Sequence, residues 1–222
     1  MSERWMLRII GGVACGVLVA GVFIFAPKAQ GGQNGTTDSR IQAGFTAAPV
    51  PLNMAGKNRA LVGLGSYLVN VSGDCNGCHS AGPQTQFAPG HNPYFGQPTM
   101  ENPNTYLGGG RDFGPLIPGS AHIISRNLTP DKTGVPEGGA SFAEFVRTMR
   151  TGKDADNLHP TCTGAPDATC IPKPFDGSLL QIMPWPGFHN LTDHDLRAIY
   201  EYLSAVPCVQ GNYPGEPADR CQ

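Results

Sequence analysis

Apolar residues recur at helical spacing near both ends of the chain. Before residue 72 and after residue 192 they are three or four positions apart, as in Leu61, Leu64, Leu68 and Val71 and in Leu196, Ile199, Tyr200 and Leu203. This spacing places them on one face of a helix, and it predicts amphipathic helices from about 58 to 72 and after Thr192. Thr192 as N-cap and Asp195 three residues later are typical of a helix start.

A third helix is predicted between residues 141 and 152. Ser141 and Glu144 form an S-x-x-E capping box, and Gly152 provides the stop. The first predicted helix contains Gly63 and Gly65, which weaken a helix by up to about 1 kcal/mol each relative to alanine. A close crossing with another helix would compensate for that loss, and the helix after Thr192 is the predicted partner.

The N-terminal region differs from the rest of the chain. Residues 1–8 carry basic side chains and read as a cytoplasmic segment, and residues 9–26 contain no charged residue. This run just reaches the length of a membrane-spanning helix, about 17 residues, and exceeds the usual signal-peptide core. A retained single-pass anchor is favoured over a cleaved signal because residues 27–30 make a poor cleavage site.

The remaining residues divide into a tether and a domain. Residues 27–57 have no apolar period and predict a flexible tether, with packing on the domain as the alternative. Residues 58–222 predict one domain. With 30 glycines and 21 prolines in 222 residues, much of this domain must be loop. The formal net charge of −2 gives no indication of nucleic-acid binding.

Residues 75–79 carry the most specific chemical signal in the chain. Cys75, Cys78 and His79 form a C-x-x-C-H motif, which is typical of covalent attachment of one haem c. Two thiols on one helical turn can bond the two porphyrin edges, and the histidine can bind the iron. Half of a zinc site and a thioredoxin-like redox pair are alternatives, but the chain lacks the second ligand pair and the βαβ context that these require.

The iron of such a haem needs a second axial ligand, for which Met183 is the best candidate. It lies in a Met-Pro-Trp-Pro sequence whose prolines stiffen the backbone, and Trp185 is predicted to cover the ring. His159 and His189 are bis-histidine alternatives, and an open iron position is a third. Met149 is predicted to lie in the core, and His189 and His194 are predicted to be solvated.

Two other features bear on the domain. The stretch from His79 to Ser141 is long and irregular but rich in apolar residues, so we expect it to wrap the haem; these residues are Phe87, Tyr94, Phe95, Tyr106, Phe113, Leu116, Ile123 and Ile124. Four further cysteines can pair in three ways. The simplest is Cys162 with Cys170 and Cys208 with Cys221, in an oxidising compartment.

Taken together, these motifs resemble class I c-type cytochromes, and specifically the cytochrome subunits of membrane-bound alcohol, gluconate and sugar dehydrogenases. The carriers, between about Leu61 and Pro207, are Gly73–Asp74–Cys75, Cys78–His79, Gly109–Gly110–Arg111, Asn127–Leu128–Thr129–Pro130–Asp131, Met183–Pro184–Trp185 and Leu191–Thr192–Asp193. The resemblance implies a mainly α, class I cytochrome c fold with long haem-wrapping loops. It also implies that His79 and Met183 are the axial ligands and that Arg126 and Asn127 contact the haem propionates.

The predicted function is electron transfer rather than catalysis. A monohaem cytochrome in the periplasm, anchored in the bacterial inner membrane, would take single electrons from a dehydrogenase or a quinol-oxidising complex. It would pass them to an oxidase or another cytochrome of a respiratory chain. A peroxidase-like haem enzyme and a gas sensor are alternatives, and both need an open or displaceable sixth position. The chain departs from the resemblance in having one haem motif and a Cys162 to Cys170 insert.

Overall fold

Short helices make up most of the regular structure. The computed structural model describes residues 33–153, 156, 158–211, 213 and 215–222. Its helices are α1 (Gln33–Ala47), α2 (Arg59–Tyr67), α3 (Cys75–Cys78), α4 (Pro83–Gln86), α5 (Pro136–Gly139), α6 (Phe142–Thr151), α7 (Trp185–Phe188) and α8 (Asp193–Leu203). A π-helical turn (Leu68–Ser72) extends α2, and a 3₁₀ turn spans Pro93–Phe95. The predicted mainly helical fold is confirmed.

The two glycines of α2 allow two close helix crossings. A Cβ atom on Gly65 would lie 1.9 Å from the carbonyl oxygen of Ala198, so α8 approaches α2 as predicted. A Cβ atom on Gly63 would lie 2.7 Å from the side chain of Ile41 in α1, a crossing that the sequence did not indicate. Each glycine therefore removes the steric barrier to one neighbouring helix.

Helix α1 corrects part of the predicted tether. Residues 33–47, within the proposed tether of residues 27–57, are helical, and Ser66 donates a 2.6 Å hydrogen bond to the carbonyl of Gly44 in α1. Further along, Asn53 donates to the carbonyl of Ala205. Of the two alternatives, packing on the domain describes residues 39–57. The apolar side chains of α1 at its crossing with Gly63 are Ile41 and Phe45, one turn apart.

Helices α6 and α8 begin as the sequence predicts. Both have complete capping boxes, formed by Ser141 with Glu144 and by Thr192 with Asp195. Helix α6 ends at Gly152, which has a φ of +66°. The helices enclose one apolar core, whose buried members include Val62, Val69, Phe145, Leu196, Tyr202 and Leu203.

The stretch between His79 and Ser141 contains more regular structure than predicted, and some of its aromatic residues are buried while others are exposed. Strands β1 (Asp112–Pro115) and β2 (His122–Ile124) form an antiparallel pair with Asp112 opposite Ile124. Tyr106 is buried, whereas Tyr94 and Phe95 are 79% and 72% exposed. The prediction that this whole tract covers the haem is therefore wrong for the turn at Tyr94 and Phe95, which projects into solvent.

Cysteines 162, 170, 208 and 221 form the predicted disulfides, Cys162–Cys170 and Cys208–Cys221. Each bond lies in an irregular segment. We call residues 158–180 the insert and residues 208–222 the C-terminal strap. Both segments pack against the helical domain, and residues 33–222 form one compact unit.

The predicted membrane segment, residues 9–26, lies outside the described residues, as does the N-terminal segment 1–8. Within the described part of the chain, no helix has the length and apolar character needed to cross a bilayer.

Candidate haem site

A large cavity of about 1050 Å³ lies beside the C-x-x-C-H motif. This volume is slightly larger than the usual range for ligand pockets, about 300–1,000 Å³. Its wall is mostly apolar and includes Leu68, Phe145, Met149, Ile171, Leu180 and Ile199. Cys75, Cys78, His79, Arg126 and Met183 all line this cavity, so the structure brings together five of the predicted site residues.

The two thiols lie on a single helical turn, α3. Asp74, immediately before the turn, has a φ of +43°, and it starts the helix from a left-handed conformation. Among the described residues, Cys75 and Cys78 are the cysteines outside disulfides. Burial, together with nearby Asp74 and Cys78, raises the pKa of Cys75 to about 12. The Cys75 thiol is therefore protonated at neutral pH.

Several long-range hydrogen bonds hold the turn in place. The buried Asn76 side chain accepts a 2.8 Å hydrogen bond from the backbone N–H of Leu107 and donates to Glu101. Arg111 donates to the carbonyl of Gly77. These bonds fix the two residues between the cysteines, and with them the direction of both thiols.

His79 is prepared to act as a neutral ligand. Its Nδ1 atom lies 2.7 Å from the carbonyl oxygen of Arg126. A carbonyl can only accept, so Nδ1 carries the proton and the lone pair is on Nε2. Burial lowers the pKa of His79, against the opposing effect of this hydrogen bond. The imidazole is thus neutral and oriented by a backbone group, as ligating histidines usually are.

Met183 enters the cavity from an irregular segment between the insert and α7. Its thioether is half-buried and packs against the edge of the apolar core. Met149 also lines the cavity, but it lies on α6 and is buried as a core residue, as predicted. His159 lines the cavity as well, whereas His189 and His194 are exposed, as predicted.

Arg126 belongs to a polar group in this otherwise apolar wall. Its guanidinium pairs with Asp156, and the ring of Tyr213 lies 5.9 Å from it. Glu137 also lines the cavity, and burial raises the pKa of its carboxyl to about 7. A cofactor with an apolar body and carboxylate edges suits such a wall, because the guanidinium can meet negative charge.

Asn127 and Trp185 were predicted to contact the haem, but neither lines the cavity. The buried Asn127 side chain instead donates to the carbonyl of Val209 and accepts from the backbone N–H of Thr129. Trp185 packs on Gly152, where an added Cβ atom would lie 2.3 Å from its ring. Both residues support the backbone next to a site residue.

No sequence pattern indicated the part of the cavity wall that comes from the insert. Ile171, Leu179 and Leu180 line the cavity. They belong to a segment without helical or strand periodicity, so no pattern marked them as inward-facing. The same holds for Glu137, an isolated acidic residue in a short glycine-rich helix.

The described residues therefore suit a covalently attached haem. The two thiols share one turn, the imidazole is neutral with a defined tautomer, and a thioether lines the same large apolar cavity. Cysteine, histidine and methionine are the donors that c-type cytochromes use for attachment and ligation. With a haem bound there, Cys75, Cys78 and His79 would hold it on one side.

Comparison with characterised proteins finds similar sequences among the cytochrome subunits of dehydrogenases. The gluconate 2-dehydrogenase cytochrome c subunit of Pantoea cypripedii is 29% identical over 160 residues, which cover 70% of this chain and 26% of the relative. The chain is similar to the cytochrome c subunits of dehydrogenases. The cytochrome c subunit of alcohol dehydrogenase (quinone) from Gluconacetobacter polyoxogenes is 30% identical over 176 residues, 74% of this chain and 27% of the relative.

A third relative, the fructose dehydrogenase cytochrome subunit of Gluconobacter japonicus, is 26% identical over 158 residues, 71% of this chain and 24% of the relative. The chain spans about a quarter of the length of these cytochrome subunits. No protein-family model and no solved structure matches it. The resemblance inferred from the sequence motifs is confirmed by these relatives.

Proposed function

We propose that this protein is a monohaem c-type cytochrome that transfers single electrons, with His79 and Met183 as the axial ligands of the iron. The observation that carries the proposal is the neutral His79 imidazole, oriented by the Arg126 carbonyl, beside two thiols in the wall of a large apolar cavity. The sequence contains one C-x-x-C-H motif, which gives one haem.

A bound haem would supply the chemistry, a one-electron change between ferric and ferrous iron. The chain holds and shields the cofactor. Cys75 and Cys78 anchor it, the His79 lone pair on Nε2 is available to the metal, and the apolar wall excludes water. A thioether ligand such as Met183 favours the ferrous state and raises the potential. Arg126 offers positive charge to the carboxylate edge.

The charge-free run of residues 9–26 supports a tether in the membrane, with the haem domain in the periplasm. The relatives are subunits of dehydrogenases. We therefore infer that the electron donor is a periplasmic dehydrogenase or a quinol-oxidising complex, and that an oxidase or a second cytochrome accepts the electron.

Absorption spectroscopy of the purified holoprotein tests the proposal. One haem c per chain in the alkaline pyridine assay, and the long-wavelength ferric band of methionine ligation, are the expected results. Met183→Ala should remove that band, lower the midpoint potential and let carbon monoxide bind the ferrous protein. Met149→Leu is the matched control, since it changes the other methionine of the wall and should leave the band in place.

Three outcomes would contradict the proposal. Absence of haem from a preparation made with intact maturation machinery would exclude a cytochrome. Rapid carbon monoxide binding by the unmodified protein would favour a haem enzyme or a gas sensor. Loss of ligation in His159→Ala, with Met183→Ala unchanged, would assign the sixth position to histidine.

A further inference from the structure

The C-terminal strap contains a buried ion pair. Nη1 of Arg220 lies 3.2 Å from Oε1 of Glu216, and the two side chains are 5% and 4% exposed. Burial lowers the pKa of Arg220, and Glu216 and Asp131 oppose that shift. A buried pair is a weak source of stability because both charges must leave water. Stability alone therefore does not explain why this short terminal segment contains a buried ion pair, and its hydrogen-bond partners indicate a second role.

The partners of this ion pair lie in one backbone segment of the domain. Glu216 accepts a 2.8 Å hydrogen bond from the side chain of Asn127, and Arg220 donates to the carbonyl of Thr129. Val209 of the strap adds two bonds, donating to the Thr129 hydroxyl and accepting from Asn127. The strap therefore holds residues 127–129 through buried polar contacts.

That segment begins directly after the partner of His79. The carbonyl of Arg126, one residue before Asn127, accepts the hydrogen bond from Nδ1 of His79. The strap also contacts the segment at Gly108 and Gly109, which binds the backbone of His79. Gly211 approaches Gly108 so closely that an added Cβ atom would lie 2.0 Å from its carbonyl oxygen. The next residue, Gly109, donates a 2.7 Å hydrogen bond to the carbonyl of His79.

We propose that Glu216 and Arg220 are positioning residues for the haem, which act through Asn127 and the Arg126 carbonyl on the proximal ligand His79. This inference rests on the proposed function. The strap lies beyond the stretch of the chain that carries the cytochrome motifs. In this arrangement the Arg126 carbonyl that binds His79 is itself held in place by the strap, which the Cys208–Cys221 disulfide closes.

The expected consequence is electronic as well as structural. A hydrogen bond from the second imidazole nitrogen fixes the ring and raises its basicity as a ligand. A more basic ligand donates more electron density and favours ferric iron. Releasing the strap should therefore weaken the bond at Nδ1, expose its proton to exchange and shift the midpoint potential upward.

The test uses holoprotein with ¹⁵N-labelled histidine. Glu216→Leu removes both the charge and the acceptor, Glu216→Gln keeps an acceptor for Asn127, and Asp219→Asn is the control. Asp219 lies in the same strap but pairs with Lys132 at the exposed surface. We measure solvent exchange of the His79 Nδ1 proton, the midpoint potential and the free energy of unfolding of each variant.

Glu216→Leu should speed exchange by about tenfold, in line with the net value of one hydrogen bond, and should raise the potential. Glu216→Gln should change the exchange rate and the potential in the same direction but by less. If Glu216→Leu does not fold, the measurements on Glu216→Gln test the inference. Asp219→Asn should change neither quantity.

If Glu216→Leu lowers the free energy of unfolding but leaves the exchange of the His79 Nδ1 proton and the midpoint potential unchanged, the strap only stabilises the fold. That result would overturn the inference. A preparation that contains no haem before any substitution would instead overturn the proposed function. These two failures are distinguished by the haem assay on the unmodified protein.

Discussion

The His79 side and the Met183 side of the cavity are built in different ways. His79 and its neighbours are held by residues far along the chain, with hydrogen bonds to Arg126, Leu107 and Gly109. The segment around Met183, from Leu180 to Trp185, forms hydrogen bonds mainly within itself. The backbone N–H of Met183 donates to Gln181, and the indole N–H of Trp185 donates to Leu180.

This difference indicates unequal rigidity. Long-range bonds from several segments must break together before the His79 loop can move, whereas local bonds can move with their own segment. The long-range ties that the structure does provide to the Met183 segment lie at the end of α6. Leu180 donates to the carbonyl of Gly152, and Trp185 packs against Gly152. We therefore expect the methionine side to be the more adjustable half of the site.

The largest effect is expected from Asn76→Ala on the His79 side. This change removes the acceptor of the buried Leu107 N–H and the donor to Glu101. Leaving a buried partner unsatisfied costs about 1–3 kcal/mol for each group, so the free energy of unfolding should fall by about 3 kcal/mol. Urea unfolding of the holoprotein measures it. Asn190→Ala, at an exposed position, should change it by less than about 0.5 kcal/mol.

On the Met183 side, Gly152→Ala should cost about 2–3 kcal/mol and weaken methionine ligation. The left-handed conformation accounts for about 1–2 kcal/mol, and the contact of the new Cβ atom with Trp185 adds to it. Gly134→Ala is the matched control, since Gly134 has a φ of +81° and open space around its Cα atom. Equal losses in the two variants, with the ferric band intact in both, would show that Trp185 does not couple α6 to Met183.

Glu137 lies in the wall of the cavity and should make the stability of the protein depend on pH. Burial raises its pKa from 4.5 to about 7, so the folded protein binds a proton more tightly than the unfolded chain. The stabilisation from this proton is complete below pH 4.5 and is lost as the pH rises to about 7, which lowers the free energy of unfolding by up to about 3 kcal/mol. Unfolding measured across this window should show the decline, and Glu137→Gln should remove it. An identical decline in that variant would assign it to other groups.

The smallest effect is expected from Ile182→Gly, next to the methionine. Ile182 has a φ of +69° and its side chain is half-exposed, at 49%. Relief of the left-handed strain, about 1–2 kcal/mol, should offset most of the lost apolar contact and the added chain entropy. We expect a change below about 1 kcal/mol. Ile171→Ala, at a buried wall position, should cost about 2–4 kcal/mol, and similar losses for both would contradict an adjustable methionine side.

Local sequence patterns determined the parts of this protein that depend on neighbouring residues. The capping boxes at Ser141 and Thr192 fixed two helix starts, because both partners lie within one turn. Cys75, Cys78 and His79 identified the site for a similar reason, since all three groups are needed at fixed spacing on one turn. The disulfide between Cys162 and Cys170 followed from short separation.

Tertiary structure decided the contacts between residues that are far apart in the chain. Asn127 was predicted as a haem contact from the family resemblance, and Trp185 from its place beside Met183. In the structure the Asn127 side chain binds the strap and Trp185 covers Gly152, and no local pattern could have indicated either contact. Helix α1 was not predicted because its apolar side chains at the crossing, Ile41 and Phe45, span a single turn, which is too short to give a helical period. The carbonyl of Arg126 could not be predicted as the partner of His79, because every residue carries a carbonyl and only the fold selects one.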